Sequence, residues 1–263
     1  MLTQVREFIT RHVDKGGNDS YFEDYRLALE VYNKKTMRSN YWPTNHDCDA
    51  TLWAGLASYG GSSFLDIKEA RDLGGRWHRR PLVPHGPCNV DGCDHGSKST
   101  ISNDMLLGVL FALRNDRDAM ESLWSYAKDN CFIMGRPLHR VGEVILKPNV
   151  VSLLRGILGK KINLPPLYTS GGADYVKHLT AISIHLYGII HGYIEGHHLQ
   201  VLKSLTSEDP SNATFEAIKQ RYTKRDYDRA ATLMRMDVLP SYVRGSDNYA
   251  LVYKLFTWKV IAS

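Results

Sequence analysis

Cysteine is scarce: Cys48, Cys88, Cys93 and Cys131 are the four in a chain of 263 residues. Bridge-stapled secreted scaffolds are far denser in cysteine, so a disulfide framework is excluded and a core must hold this chain together. Cys88 and Cys93 suit either one local bridge or two thiols. Long apolar runs are also missing. No stretch approaches the roughly 18 consecutive apolar residues that a membrane-spanning helix requires. Nor are there blocks of one charge: 33 basic and 28 acidic residues are scattered, giving a net charge of +5 and a pI near 8.9. That balance suits an anionic partner, such as an acidic polysaccharide, nucleic acid or a membrane surface, without the basic runs of a dedicated polyanion binder. The most basic short stretch is RWHRRP, residues 76–81. With 43% hydrophobic and 23% charged residues, the composition excludes disorder.

What the chain does contain is helical periodicity. At the N-terminus, Val5, Phe8, Ile9 and Val13 recur between charges, which predicts an amphipathic first helix instead of a secretory signal. The resulting expectation for location is cytoplasmic or virion-associated. Tyr21, Tyr25, Leu29 and Tyr32 form the next stripe, Leu52, Trp53 and Leu56 follow Asp49, and Met105, Leu106, Val109, Leu110 and Leu113 follow Ser102. Met120, Leu123, Trp124 and Ala127 predict another helix. In KPNVVSLLRGILG, Pro148 stands at a first turn and Gly159 at a C-terminal cap. One long helix is predicted from Asp174 through Ile194, then helices opening at Asn212 and Asp226, and a closing helix through Tyr249, Val252, Phe256 and Val260. Ten or eleven helices result, with no strand of period two. The fold class expected is all-α, an array of helical hairpins or such an array closed into a ring, in a single domain over residues 1–263 with a long loop insertion at about 74–101. A loop of that length inside a domain is usually functional.

Metal chemistry is weighed and set aside. Cys88, Cys93, Asp94 and His95, with His85 nearby, lack the second ligand pair of a structural zinc site. Asp91 and Asp94 lack the ligand ladder of a calcium loop. On the predicted long helix, His191, Glu195 and His198 share a face, but a di-iron bundle needs a second Glu-x-x-His on another helix. No metal and no cofactor are expected. KQRYTKRDYDR, residues 219–229, mixes basic and aromatic residues, but Asp226 and Asp228 dilute it and no nucleic-acid-binding motif accompanies it. The expectation is no nucleic acid and no membrane partner.

The aspartates at helix starts carry more. Asp104 falls in a first turn behind the predicted N-cap Ser102, where the helix dipole favours an ionised carboxylate and hence a base or electrostatic stabiliser. Asp49 holds a similar place before Leu52. As simple charge complements, each would contribute only ~0.5 kcal/mol. The loop leading to Asp104 adds Arg76, Trp77, His78, Arg79 and Lys98, and aromatic plus cationic residues beside carboxylates are what a sugar site needs.

The phrases DATLWAGLA, GRWHRRP, SKSTISNDMLLGVLFAL, HLTAISIHLYGIIHGYI and PSNATFEAIKQRYT, over most of residues 45–235, resemble (α/α)-toroid glycosidase-like proteins of bacteria and phages. The resemblance implies a toroid of helical hairpins, incomplete if the chain is too short for six of them, with carboxylates at inner-helix ends lining a cleft. CNVDGCDH has no counterpart in it. It implies hydrolysis of a polysaccharide or oligosaccharide by inversion, with Asp104 as base and Asp49 as acid, the two carboxyls ~6.5–9.5 Å apart. Toroids also host polysaccharide lyases, which act on acidic glycans; Arg76, Arg79, His78, Tyr175 and His178 are the candidates for that chemistry. A third expectation is a non-catalytic glycan-binding or structural virion protein.

Overall fold

The computed structural model of the protein describes residues 19–39, 49–62, 66–79, 101–135, 143–160, 168–244 and 247–263. The predicted first helix, Lys98 and the cysteine loop lie outside them. Ten α-helices stand among the described residues: α1 (Asp19–Ser39), α2 (Ala50–Tyr59), α3 (Asn103–Leu113), α4 (Arg117–Asp129), α5 (Pro148–Ile157), α6 (Asp174–His191), α7 (Gly196–Glu208), α8 (Ala213–Arg221), α9 (Asp228–Arg235) and α10 (Asp247–Ala262). The protein is mostly helical, as its periodicity predicts. One departure is a small antiparallel pair, β1 (Ile133–Gly135) with β2 (Val144–Ile145), whose strands are too short to show a period of two.

Local chemistry explains the ends. Pro148 opens α5, where its missing N–H costs nothing. Asn212 caps α8 by accepting from the Phe215 amide at 3.2 Å, and Asp116 caps α4 through Ala119 at 3.0 Å. The predicted start at Asp226 moves to Asp228, because the Asp226 carboxylate accepts from the Asp228 amide and turns the chain before the helix begins.

The predicted long helix is in fact two. Gly192 adopts a left-handed φ of 77° and ends α6. Glu195 then caps α7 in a reciprocal capping box with His198. Apolar periodicity alone runs straight through this break.

Two kinds of helix alternate in burial. Nine of the ten residues of α2 are buried, as are all of Met105–Phe111 in α3, whereas α4, α7 and α9 bury a single stripe. A helix that is apolar all round belongs inside. α2 packs on α3, α3 on α6, α6 on α8, α8 on α10, and α10 on α2. These five run parallel. Trp53 stacks on Tyr249 at 4.3 Å near the start of α2 and α10, and Tyr59 meets Phe256 at 5.3 Å near their ends. The side chains of Thr214 and Thr257 are hydrogen-bonded at 2.6 Å, and Arg221 reaches Ser263 at 3.2 Å, so α8 and α10 run alike.

The closest approach is between α2 and α3. A Cβ on Gly55 would sit 2.1 Å from the Gly108 carbonyl oxygen, and one on Gly108 would sit 2.4 Å from that of Thr51. Glycine is required there because backbone meets backbone. Further along, His185 of α6 receives groups from its neighbours: Nε2 lies 2.8 Å from the Tyr59 hydroxyl and Nδ1 lies 3.1 Å from that of Tyr222. Phe111 and Phe256 pack around it, each burial being worth about 1.5–3 kcal/mol.

Candidate functional site

The candidate site lies at the amino-terminal ends of α3, α5 and α6, with the start of α2 linked to it through Arg79. Asp49 precedes α2, but its carboxylate does not cap the helix. It accepts instead from Arg79 Nη1 at 3.0 Å. Arg79 is held there because its segment is laid across the helix start: the Thr51 amide donates to the Arg79 carbonyl at 2.9 Å, and the Thr51 hydroxyl to the His78 carbonyl at 2.8 Å.

Asp104 occupies the first turn of α3, as expected, and is half-buried. Burial pushes its carboxyl pKa above the ordinary aspartate value, and the positive charges of Lys147 and Arg79 offset this only in part. The expected preference of Asp104 for its ionised form is thus opposed by desolvation, which exceeds the offset from the two cations.

Asp104 opens onto a cleft of about 170 Å³. Asn103 joins it from α3, Lys147 and Asn149 from the start of α5, Tyr168 from the connection before α6, and Tyr175 from the first turn of α6. Asn103 shapes the rim with a two-sided bond, donating to the Ile145 carbonyl at 3.0 Å and accepting from the Lys147 amide at 2.8 Å. It thereby ties the end of β2 to the start of α3 and sets Lys147 beside Asp104. The Tyr168 hydroxyl is sealed from solvent beside Ser183.

Of the residues singled out in the sequence, Asp49, Arg79 and Asp104 are brought together, and Tyr175 joins Asp104 at the cleft; Asp49 is not itself part of the lining. Others are not. Trp77 is 0% exposed and forms a bridge with Arg71, so it offers no free ring face for a sugar. His78 is buried, with Nε2 3.1 Å from Asp72, which also accepts from the Arg76 amide at 2.9 Å. Burial pushes the Asp72 carboxyl up, but these bonds and the His78 charge prevail and hold it below the ordinary value. Arg76 and His78 thus brace a turn. His178 is buried between Trp53 and Tyr242, and burial lowers its pKa to about 3. It is a neutral core residue and cannot reach a substrate's α-proton, which corrects its assignment as a lyase base.

Glu195 is committed to capping α7 and accepts from the Tyr187 hydroxyl at 3.1 Å. Among the described residues, no three His, Cys, Asp or Glu are grouped to hold a metal ion. No described helix is long and apolar enough to cross a membrane. The residues that sequence reasoning passed over are Lys147, Asn103 and Tyr168. For Lys147 the signal was its place directly before Pro148, at a helix start.

No known protein family matches this chain, and neither does any curated protein or solved structure.

Proposed function

We propose that the protein is a glycoside hydrolase of (α/α)-toroid type, built on a short ring of five inner helices, α2, α3, α6, α8 and α10. The cyclic packing of these parallel helices supports the ring. The cleft lies at the amino-terminal ends of two of them, α3 and α6, and at that of α5.

The observation that carries the chemistry is a shared guanidinium: Arg79 is bonded to Asp49, and its charge also acts on Asp104. The two carboxyls are thereby differentiated. Asp104, raised by burial, is the general acid that protonates the departing glycosidic oxygen. Asp49, ion-paired with Arg79, is the anionic partner that activates water or stabilises the oxocarbenium-like state. These roles are the reverse of those that the sequence suggests, because burial, which sequence position does not reveal, raises the Asp104 carboxyl.

The test is the release of new reducing ends from a panel of polysaccharides, with Asp104→Asn and Asp49→Asn each lowering turnover by about 10²-fold or more. Full activity in both variants would remove the pair from the mechanism. A lyase reading is favoured by one observation, the exposed Tyr175 on the same cleft as Lys147. Products absorbing in the ultraviolet, without net addition of water, would select it over hydrolysis.

A further inference from the structure

The segment of residues 66–79 reaches the start of α2 through a turn whose tip has almost no packing. Leu73 is fully exposed there, and Gly74 and Gly75 follow it, Gly75 with a φ of +87°. Two glycines lose more backbone freedom on folding than other residues would, and an exposed leucine returns no burial. What closes the tip is one carboxylate. Asp72 Oδ1 accepts from the Arg76 amide at 2.9 Å, and Asp72 Oδ2 lies 3.1 Å from His78 Nε2. The Asp72 amide also donates to the Arg76 carbonyl at 2.9 Å.

His78 carries that closure inward, with its side chain only 4% exposed. Its amide donates to the Ala70 carbonyl at 2.8 Å, on the near side of the turn. Its carbonyl accepts from the Thr51 hydroxyl at 2.8 Å, in the first turn of α2. The next residue is Arg79, whose carbonyl accepts from the Thr51 amide at 2.9 Å and whose guanidinium meets Asp49. Ile67, Ala70 and Trp77 are buried and anchor the base of the segment. Asp72 therefore governs how the chain leaves the turn, and with it the approach of Arg79.

We infer that Asp72 and His78 are positioning residues, which fix the exit of this turn and so hold the Arg79 guanidinium at the Asp49 carboxylate. Neither lines the cleft; both act through Arg79. The inference rests on the proposed hydrolysis only for the roles given to the two aspartates, and the placement of Arg79 is measurable without a substrate. Asp104 reports on it, because the Arg79 charge is one of the two that oppose burial there. The sign of the response separates two routes. Loss of the Asp72 charge, acting directly through space, would lower the Asp104 midpoint, whereas displacement of Arg79 raises it.

The experiment is carbon-detected titration of Asp104 in the full chain for Asp72→Ala, His78→Phe and Arg79→Met, and for each of the first two combined with Arg79→Met. Asp72→Ala should raise the midpoint, by no more than Arg79→Met does, and should add nothing in the Arg79→Met background. His78→Phe keeps the buried volume while removing the ring nitrogen; it should do the same, and it carries the test if Asp72→Ala does not fold. Asp72→Asn, which keeps an acceptor for the Arg76 amide, should raise the midpoint less than Asp72→Ala. A midpoint left unmoved or lowered, or a rise that persists in the Arg79→Met background, overturns the inference and leaves the hydrolase reading to its own test. A rise that needs Arg79, in a protein that releases no new reducing ends from any polysaccharide, supports the positioning role and ends the hydrolase reading.

Discussion

Arg79 donates from Nη1 to the Asp49 carboxylate across 3.0 Å, joining a residue of the long loop insertion to the start of a core helix. The pair is partly shielded, with the arginine side chain 19% and the aspartate 33% exposed. Arg79→Met should cost about 1 kcal/mol of stability. It should also raise the Asp104 pKa further, because one of the two cations that oppose burial is removed. Carbon-detected titration of the Asp104 carboxyl reads this directly, and an unchanged midpoint would break the proposed link.

Asp104→Asn should stabilise the fold at neutral pH. A carboxyl whose folded pKa lies above its unfolded value of 3.8 binds protons more tightly in the folded state. Its stabilising effect is thus present at low pH and is lost as pH rises through the folded pKa. The amide removes that loss. Tm should rise by about 2 °C at pH 7 and by nothing below about pH 4; a lower Tm at pH 7 would show that the ionised carboxylate is structurally required.

Gly108→Ala should be severe. The added Cβ meets the Thr51 carbonyl at 2.4 Å and the Leu52 Cα at 2.7 Å, and neither is a flexible side-chain tip. Separating α2 from α3 should cost about 3 kcal/mol or more. Chemical denaturation measures it. An equivalent change at Gly159, where nothing lies within 4 Å of the added atom, is strained only by its φ of +65° and should cost much less.

His178 and His185 are both buried and neutral, their pKa values lowered chiefly by burial, with Arg221 and Arg114 adding to the effect at His185. The unfolded chain therefore binds more protons, and stability is lost as pH falls below about 6.5, each histidine contributing a slope approaching ~1.4 kcal/mol per pH unit. His178→Phe should remove one proton from that slope. His185→Phe should do the same, but at a further cost of about 1–3 kcal/mol, because the buried Tyr59 hydroxyl loses its ring partner, whereas Tyr222 keeps its bond to the backbone carbonyl of residue 185. Denaturant midpoints from pH 7 to pH 4.5 give both quantities, and parallel curves for wild type and His178→Phe would refute the buried-neutral assignment.

Much of the helical plan is local and was legible in the chain. Pro148 before an apolar run, Asn212 before Phe215 and Asp174 before Leu179 mark helix starts through bonds and φ preferences that span four residues or fewer. Legibility fails where a local signal was outranked. Gly192 breaks a stripe that Ile189, Ile190 and Ile194 continue, and the strands of β1 and β2 are too brief for any pattern to emerge. Trp77, in a Gly- and Pro-rich stretch, reads as an exposed aromatic; only packing shows it sealed from solvent.

The sequence alone therefore determined most of the helix starts and their apolar stripes, since hydrogen-bonding range and periodicity are properties of neighbouring residues. Tertiary structure decided that Arg79 pairs with Asp49 while its charge reaches Asp104, that Lys147 and Tyr168 line a cleft with Asp104, and that burial raises the Asp104 carboxyl. Burial and the approach of distant charges set the energy of a carboxylate, and both depend on groups dozens of residues away along the chain.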